Sequence, residues 1–157
     1  MGAPCLGYCA FSDISFLRCP SVPAPTLVRA FHESVMDDTK CSTYRVRFFL
    51  HHGAGASRTE GGKLNRLIAF MERFDADVYF SAHCHDQVAK RVAILTASPD
   101  CTKLQEKSRL GIITGTYLRT YHQGSCTYGE VKGYLPVPLG ARYVKVKPEE
   151  RYILGEV

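Results

Sequence analysis

The stretch VYFSAHCHD at residues 78–86 is an apolar run that ends in two histidines one residue apart. If residues 78–82 form a buried strand, His83 and His85 lie just beyond its carboxyl end. Side chains two residues apart in extended backbone point in the same direction. Two such imidazoles are half of a metal site, but an H-x-H pair alone is a weak signal, because one of the two is equally well a hydrogen-bonded loop histidine.

A second pair of histidines follows the preceding apolar segment. Residues 44–50 alternate and then become fully apolar, which is typical of a strand that runs from a sheet edge into a core. This predicted strand stops at His51 and His52. Further along, residues 63–74 carry apolar side chains at the spacing of a one-faced helix, namely Leu64, Leu67, Ile68 and Met71.

The order strand, helix, strand predicts that the two histidine pairs meet. Such a connection is almost always a crossover between parallel strands, which end at the same edge of the sheet. Ligands of open α/β sheets bind at that edge. We therefore predict an α/β fold in which the pair at residues 51–52 faces the pair at residues 83 and 85. Other predicted strands lie at residues 6–17, 91–95, 110–114 and 141–147, and a helix is predicted from Thr26 to Val35.

The glycine-rich loop at residues 53–62 leads into the predicted helix. It is not a P-loop, because Ser57 stands where a glycine is required and Leu64 replaces the hydroxyl residue that would bind magnesium. The N–H groups at a helix N-terminus can still bind an anion, with Arg58 and Lys63 as candidate cationic contacts. The alternative is that Thr59 is a helix cap and nothing more.

Composition places the chain among ordinary globular proteins. Its 157 residues, 45% hydrophobic and 22% charged, fit a single domain over residues 1–157, and the formal charge of +5 favours anionic ligands only mildly. Seven cysteines, an odd number without zinc-ribbon spacing, predict free thiols in a reducing, cytoplasmic compartment. We expect no membrane segment and no secretory leader, since no apolar run is long enough and the first twenty residues lack a basic start.

On these motifs the chain resembles the calcineurin-like metallophosphoesterases, most closely the bacterial and phage-associated type. The resemblance rests on the histidine-glycine turn at residues 51–53, the glycine-rich loop, the turn at residues 81–85 and the tail at residues 114–121. It covers most of residues 44–148 and is weak over residues 1–43. It implies a mixed β-sheet or sandwich with few helices, and a hydrolase that cleaves phosphomonoesters or phosphodiesters with divalent metal, namely Mn, Fe, Zn or Ni.

The resemblance also assigns metal ligands by position. His52 corresponds to the histidine before glycine that binds the family's second metal. His83 matches the first histidine of the G-H-x-H turn, on the same metal, and His85 matches the last, on the first metal. His51 and Asp86 are further candidates. In the family the metals hold a phosphate and activate a water as the nucleophile.

The sequence departs from the family's pattern in its earlier motifs. D-x-H, G-D-x-x-D and G-N-H-D/E do not occur, and Ala82 replaces the glycine of the last motif. The resemblance therefore covers only the C-terminal half of the enzyme. We expect a chain truncated at its N-terminus, with one metal ion rather than two and weak or no activity alone. A partner chain would have to supply the missing half.

Two alternatives stay open at this point. The first alternative to a truncated hydrolase is a non-catalytic module that binds metal or nucleic acid. The second is a remnant whose histidines are structural. The basic residues would meet the nucleic acid in the first case, through salt-sensitive binding. No catalytic residue is assigned from the sequence.

Overall fold

The computed structural model describes residues 7–18, 42–55 and 57–156, and its elements are few helices and many strands. The predicted helix from Thr26 to Val35 lies outside the described residues. In chain order the elements are β1 (Cys9–Arg18), β2 (Ser42–His51), α1 (Glu60–Arg73), β3 (Val78–Ser81), β4 (Gln87–Ala97), β5 (Leu104–Thr116), α2 (Tyr128–Val131), β6 (Gly140–Ala141), β7 (Tyr143–Lys147) and β8 (Tyr152–Glu156).

The main sheet is mixed and has the order β1-β2-β3-β5-β4, with β6 paired to β5. Its three central strands, β2, β3 and β5, are parallel, whereas β1 and β4 run antiparallel to their neighbours. The register of β2 on β3 runs from Phe48 opposite Val78 to His51 opposite Ser81. The predicted parallel pairing across α1 is therefore confirmed, as is the α/β class with a mixed sheet and few helices.

Each face of the sheet is covered by a different element. Alternation along β2 and β3 sends Phe49 and Tyr79 to the face that α1 covers with Leu67 and Met71. The opposite face is covered by the β7–β8 hairpin. There the buried residues are Val46, Phe48 and Val78, packed against Val144, Val146 and Ile153. The sheet is thus the middle layer, and its strand ends are left at the edges.

The connection from α1 to β3 is fixed by one buried hydroxyl. Tyr79 is fully buried. Its hydroxyl donates to the carbonyl oxygen of Phe74 at 2.6 Å and accepts from the N–H of Ala76 at 3.0 Å. Because unpaired buried polar groups are costly, these bonds hold the end of the helix against the start of β3. The carboxyl end of β3 is positioned accordingly.

Helix α1 begins three residues earlier than the apolar spacing predicts. Thr59 is its N-cap, with its side-chain oxygen accepting from the N–H of Gly62 at 3.3 Å. The prediction that Thr59 caps a helix is confirmed. Apolar spacing could not locate this start because the first turn contains Gly61 and Gly62 and contributes no apolar side chain.

None of the helices in the described ranges is long and apolar enough to cross a bilayer.

Strands β4 and β5 are joined by a turn that Asp100 organises. Its carboxylate accepts hydrogen bonds from the hydroxyls of Ser98 and Thr102, the latter at 2.7 Å. These bonds lower the pKa of Asp100 from 3.8 to about 2, and the bond from Ser98 has the largest effect. They stabilise the charged form of the carboxyl, which is the form present at neutral pH.

Asp100→Asn is expected to lower the Tm by a small amount at neutral pH, because the charged acceptor is lost. A folded-state pKa below the unfolded value adds stability above pH 4, and that stability is lost as the pH falls toward 2. The Tm difference between wild type and variant should therefore shrink below pH 4. Thermal unfolding at several pH values measures this, with Glu149→Gln, at an exposed position outside the turn, as the control. A difference that grows in acid would contradict it.

Candidate functional site

Two of the predicted ligands meet at the carboxyl edge of the parallel strands. Strand β2 ends at His51 and β3 ends at Ser81, directly beside it. The imidazole rings of His52 and His83, which follow these ends, have centroids 5.3 Å apart and lie at 62° to each other. Both side chains are exposed. The structure thus brings together residues 31 positions apart, at the sheet edge where sequence reasoning placed them.

Gly53 allows the two turns to approach each other. It is buried, with a φ of +88°, which side chains other than glycine rarely adopt. A Cβ at this position would lie 2.3 Å from the carbonyl oxygen of Ala82. The backbone after β2 therefore runs against the backbone after β3, and this contact places His52 next to His83.

His51 faces the other way and has a structural partner. Its Nδ1 accepts from the N–H of Gly53 at 2.7 Å, and its ring lies 4.7 Å from that of Phe70 in α1. The side chain shares the α1 face with Phe49, two residues earlier. Because Nδ1 is occupied by the backbone, His51 holds the turn in shape, and only its Nε2 could serve as a ligand.

Tyr8 completes the surroundings of His52 and was not identified from the sequence. The N–H of His52 donates to the carbonyl oxygen of Tyr8 at 2.9 Å. The tyrosine ring packs edge-on against the imidazole at 5.5 Å. This contact depends on the register of β1 on β2, which places Cys9 opposite His51. Nothing in the sequence pattern specifies that register, since a strand's period of two does not identify its partner.

The second histidine of the H-x-H motif sits in a turn, not in extended backbone. His83 and His85 have φ values of +65° and +49°. The expectation of two side chains in strand geometry is wrong in that respect, because β3 ends at Ser81 and the chain reverses direction to enter β4. His85 is exposed, on the same turn as His83. Its role as a third ligand stays a prediction.

Asp86 and Lys63 form an ion pair. The Lys63 ammonium lies 3.0 Å from Asp86 Oδ2, and the side chains are only 11% and 20% exposed. Asp86 Oδ1 also accepts from the N–H of Gln87 at 2.9 Å. The pair joins the first turn of α1 to the loop after β3. Lys63, a candidate anion contact, has its charge neutralised here, whereas Arg58 is exposed on the loop before the helix.

The donor set at the edge is small. In the ranges 7–18, 42–55 and 57–156, no three His, Cys, Asp or Glu side chains are grouped so as to hold a metal ion. His52 and His83 supply two imidazoles, which suit zinc or nickel better than hard cations. A tetrahedral ion bound to two imidazoles would keep coordination positions for water, for a ligand or for a further donor.

A separate cavity of about 130 Å³ lies at the opposite end of the parallel strands. Most of its charged side chains form ion pairs. Asp77 accepts from the backbone N–H of Arg47 at 2.8 Å and binds Lys107 at 3.1 Å. The Arg47 guanidinium donates separately to Asp13, and this hydrogen bond is the main cause of the lowered pKa of Asp13. This end of the sheet is held by ion pairs between strands, so we assign it a structural role.

No protein-family model, no curated protein and no solved structure matches the chain. The likeness to calcineurin-like metallophosphoesterases is therefore carried by the quoted motifs alone, and it stays a prediction.

Proposed function

We propose that the carboxyl edge of β2 and β3 is a half-site of metallophosphoesterase type, which binds one divalent metal ion and through it a phosphoester. The observation that carries the proposal is the approach of the exposed His52 and His83 rings to 5.3 Å. His85, on the same turn, is the third ligand that the resemblance predicts, but it is not grouped with the two rings in the described residues. The two rings contact each other while both stay exposed, so burial in the core does not explain their approach.

The donor chemistry favours zinc or nickel over manganese. Imidazole nitrogen suits zinc and nickel, whereas manganese prefers carboxylate and water oxygen. A divalent ion bound here would polarise a phosphoryl oxygen and lower the pKa of a bound water. The role of this chain's own residues is to hold the ion through His52 and His83 and to offer the exposed Arg58 to the negative charge of the phosphoester.

A complete catalytic site would need further donors. Asp86 is engaged by Lys63 at 3.0 Å, so it is poorly placed to serve as a bridging carboxylate. We propose that a second polypeptide completes the site by supplying the carboxylate-bearing motifs that this sequence lacks. The chain alone would then be a weak hydrolase. The shortage of carboxylate at the edge equally favours the second candidate, a metal-binding module without catalysis.

Isothermal titration with ZnCl₂ and NiCl₂ tests the metal site. Wild type should bind about one equivalent. His52→Ala and His83→Ala should each weaken binding by more than the roughly 10- to 100-fold that loss of a mere outer-shell partner costs. His122→Ala is the matched control, because His122 is an exposed histidine in another turn, where its backbone pairs with Ser125. Equal binding by all three variants would contradict the proposal.

Hydrolysis separates the two candidate functions. With saturating zinc or manganese, slow cleavage of bis(p-nitrophenyl) phosphate that is lost in His52→Ala and His83→Ala supports the hydrolase. Metal binding without turnover supports the binding module. Turnover that survives both substitutions would show that another site, or a contaminant, is responsible.

A further inference from the structure

Exposed tyrosines gather on the segment that leaves the same edge of the sheet. Strand β5 is parallel to β3 and ends at Thr116, so the chain exits it at the edge that carries the histidines. It returns at β6, which pairs back onto Gly115 and Thr116. Four tyrosines lie between these points, the first of them Tyr117, directly after β5. The other three, together with one lysine, form what we call the tyrosine surface: Tyr121, Tyr128, Lys132 and Tyr134.

Ring contacts and hydrogen bonds fix the positions of the tyrosines in this surface. The rings of Tyr128 and Tyr134 meet edge to face with centroids 6.0 Å apart. The hydroxyl of Tyr121 donates to the carbonyl oxygen of Tyr134 at 2.9 Å, and the N–H of Tyr134 donates to the carbonyl oxygen of Gly129 at 2.9 Å. The rings nevertheless stay open to solvent, with Tyr128 66% and Tyr121 44% exposed.

Positive charge borders these rings. The Lys132 ammonium lies 5.9 Å from the ring centroid of Tyr128, within reach of a cation–π interaction. The pKa of Tyr134 is raised, mainly by a hydrogen bond with Tyr128, while the charges of Lys132 and Arg58 act to lower it. Arg58, exposed on the loop before α1, is thus within electrostatic range of Tyr134. One negative charge, Glu130 of α2, lies among them.

Arg58 links this surface to the proposed metal site. It belongs to the loop that starts at Gly53, directly after His52, and ends at the N-cap of α1. Beyond the other turn, Gln87 directly follows Asp86. The side-chain amide of Gln87 contacts the carbonyl oxygen of Pro138 at 3.5 Å, on the segment that carries the tyrosines. The segment that carries the tyrosines is thus attached to the strand that follows the histidine turn.

We propose that the tyrosine surface, together with Arg58, binds single-stranded nucleic acid. Successive bases stack on aromatic rings without a strong sequence preference, and flanking cations contact the phosphates. A protein partner could also cover tyrosines, but the flanking cations complement phosphates. The binding itself stands apart from the metal site. That the strand is also the phosphoester substrate of the half-site rests on the proposed function.

Fluorescence anisotropy with a labelled twelve-residue oligothymidylate, at low salt and with EDTA present, tests the binding. Wild type should bind, and Tyr128→Ala and Tyr134→Ala should each weaken binding by about 5-fold or more, the usual effect of losing one stacking ring. Tyr143→Ala is the matched control, since Tyr143 is similarly exposed at 57% but lies on β7. Tyr128→Phe keeps the ring and should keep the affinity, which guards against a folding defect in the alanine variants.

Two further arms identify the ligand chemistry. An abasic strand of the same length keeps the phosphates and removes the bases, so it should bind more weakly than the oligothymidylate. Lys132→Gln should reduce the slope of log affinity against log salt by about 1. Equal binding of the abasic strand, equal loss in Tyr143→Ala, or tighter binding to phosphatidylglycerol vesicles than to the oligonucleotide would overturn the proposal.

The same proteins separate this proposal from the metal site. Tyr128→Ala should bind zinc as wild type does, and His52→Ala should bind the oligonucleotide as wild type does in EDTA. Loss of metal binding alone contradicts the half-site and leaves the nucleic-acid surface supported. Loss of oligonucleotide binding from wild type contradicts the surface and leaves the half-site supported.

Discussion

Gly53→Ala is expected to lower the free energy of unfolding by about 3 kcal/mol, which combines left-handed strain of roughly 1–2 kcal/mol with an overpacking cost of similar size. The φ of Gly53, +88°, is unfavourable for any residue with a Cβ. The added carbon would also lie 2.3 Å from the carbonyl oxygen of Ala82. The neighbouring atom belongs to the backbone, so a side-chain rotation cannot relieve the clash. Urea denaturation followed by circular dichroism measures the loss.

Gly61→Ala is the matched control for this prediction. Gly61 lies in α1, and a Cβ there meets nothing within 4 Å. Replacing glycine by alanine where the backbone conformation suits both stabilises a protein by about 0.4–1 kcal/mol, so this variant should be as stable as wild type or more so. Because Gly53 holds the turn of His52 against that of His83, Gly53→Ala should also weaken zinc binding, while Gly61→Ala should not. Equal stability of the two variants would contradict the close approach.

Asp86→Ala is expected to cost about 2–3 kcal/mol, because removing one partner of a largely buried ion pair leaves the other charge unpaired. The substitution leaves the ammonium of Lys63 without its partner, although that side chain is only 11% exposed. It also removes the acceptor of the Gln87 N–H. The comparison is Glu150→Ala. Glu150 pairs with Lys147 at 3.0 Å on the surface, with side chains 60% and 39% exposed, so its loss should cost about 0–1 kcal/mol.

Asp86→Ala also tests whether Asp86 is a metal ligand. If Asp86 serves only to hold Lys63, then Asp86→Ala should lose stability and keep its zinc affinity at a temperature where it is folded. A double variant with Lys63→Met should recover part of the stability, because no charge is then left without a partner. Loss of zinc affinity in both variants would make Asp86 a ligand, contrary to this account.

The elements around the site were predictable because their signals are local. The apolar spacing in residues 63–74 predicted α1, and the strand, helix, strand order was enough to place His52 and His83 at one edge. Alternation could also have separated His51 from His52, since Phe49 and His51 lie on one face of β2 and share contacts with α1.

Other features depend on pairings that local pattern does not encode. The ion pair of Lys63 with Asp86 joins residues 23 apart, and the contact of Tyr8 with His52 depends on the register of β1. Strand β8 was missed because it is short and contains Gly155, whose place is opposite Val144 in the hairpin. Gly155 packs close to Leu110 of the sheet, so its lack of a side chain reflects tertiary packing.

The most direct test of the proposed half-site is the metal content of the purified chain, measured by mass spectrometry for wild type and for the double variant His52→Ala/His83→Ala. The proposal predicts about one zinc or nickel equivalent in wild type after growth with added metal, and none in the double variant. Circular dichroism should show both proteins folded, because both histidine side chains are exposed. Metal at the same level in both proteins, or none in either, would contradict the half-site.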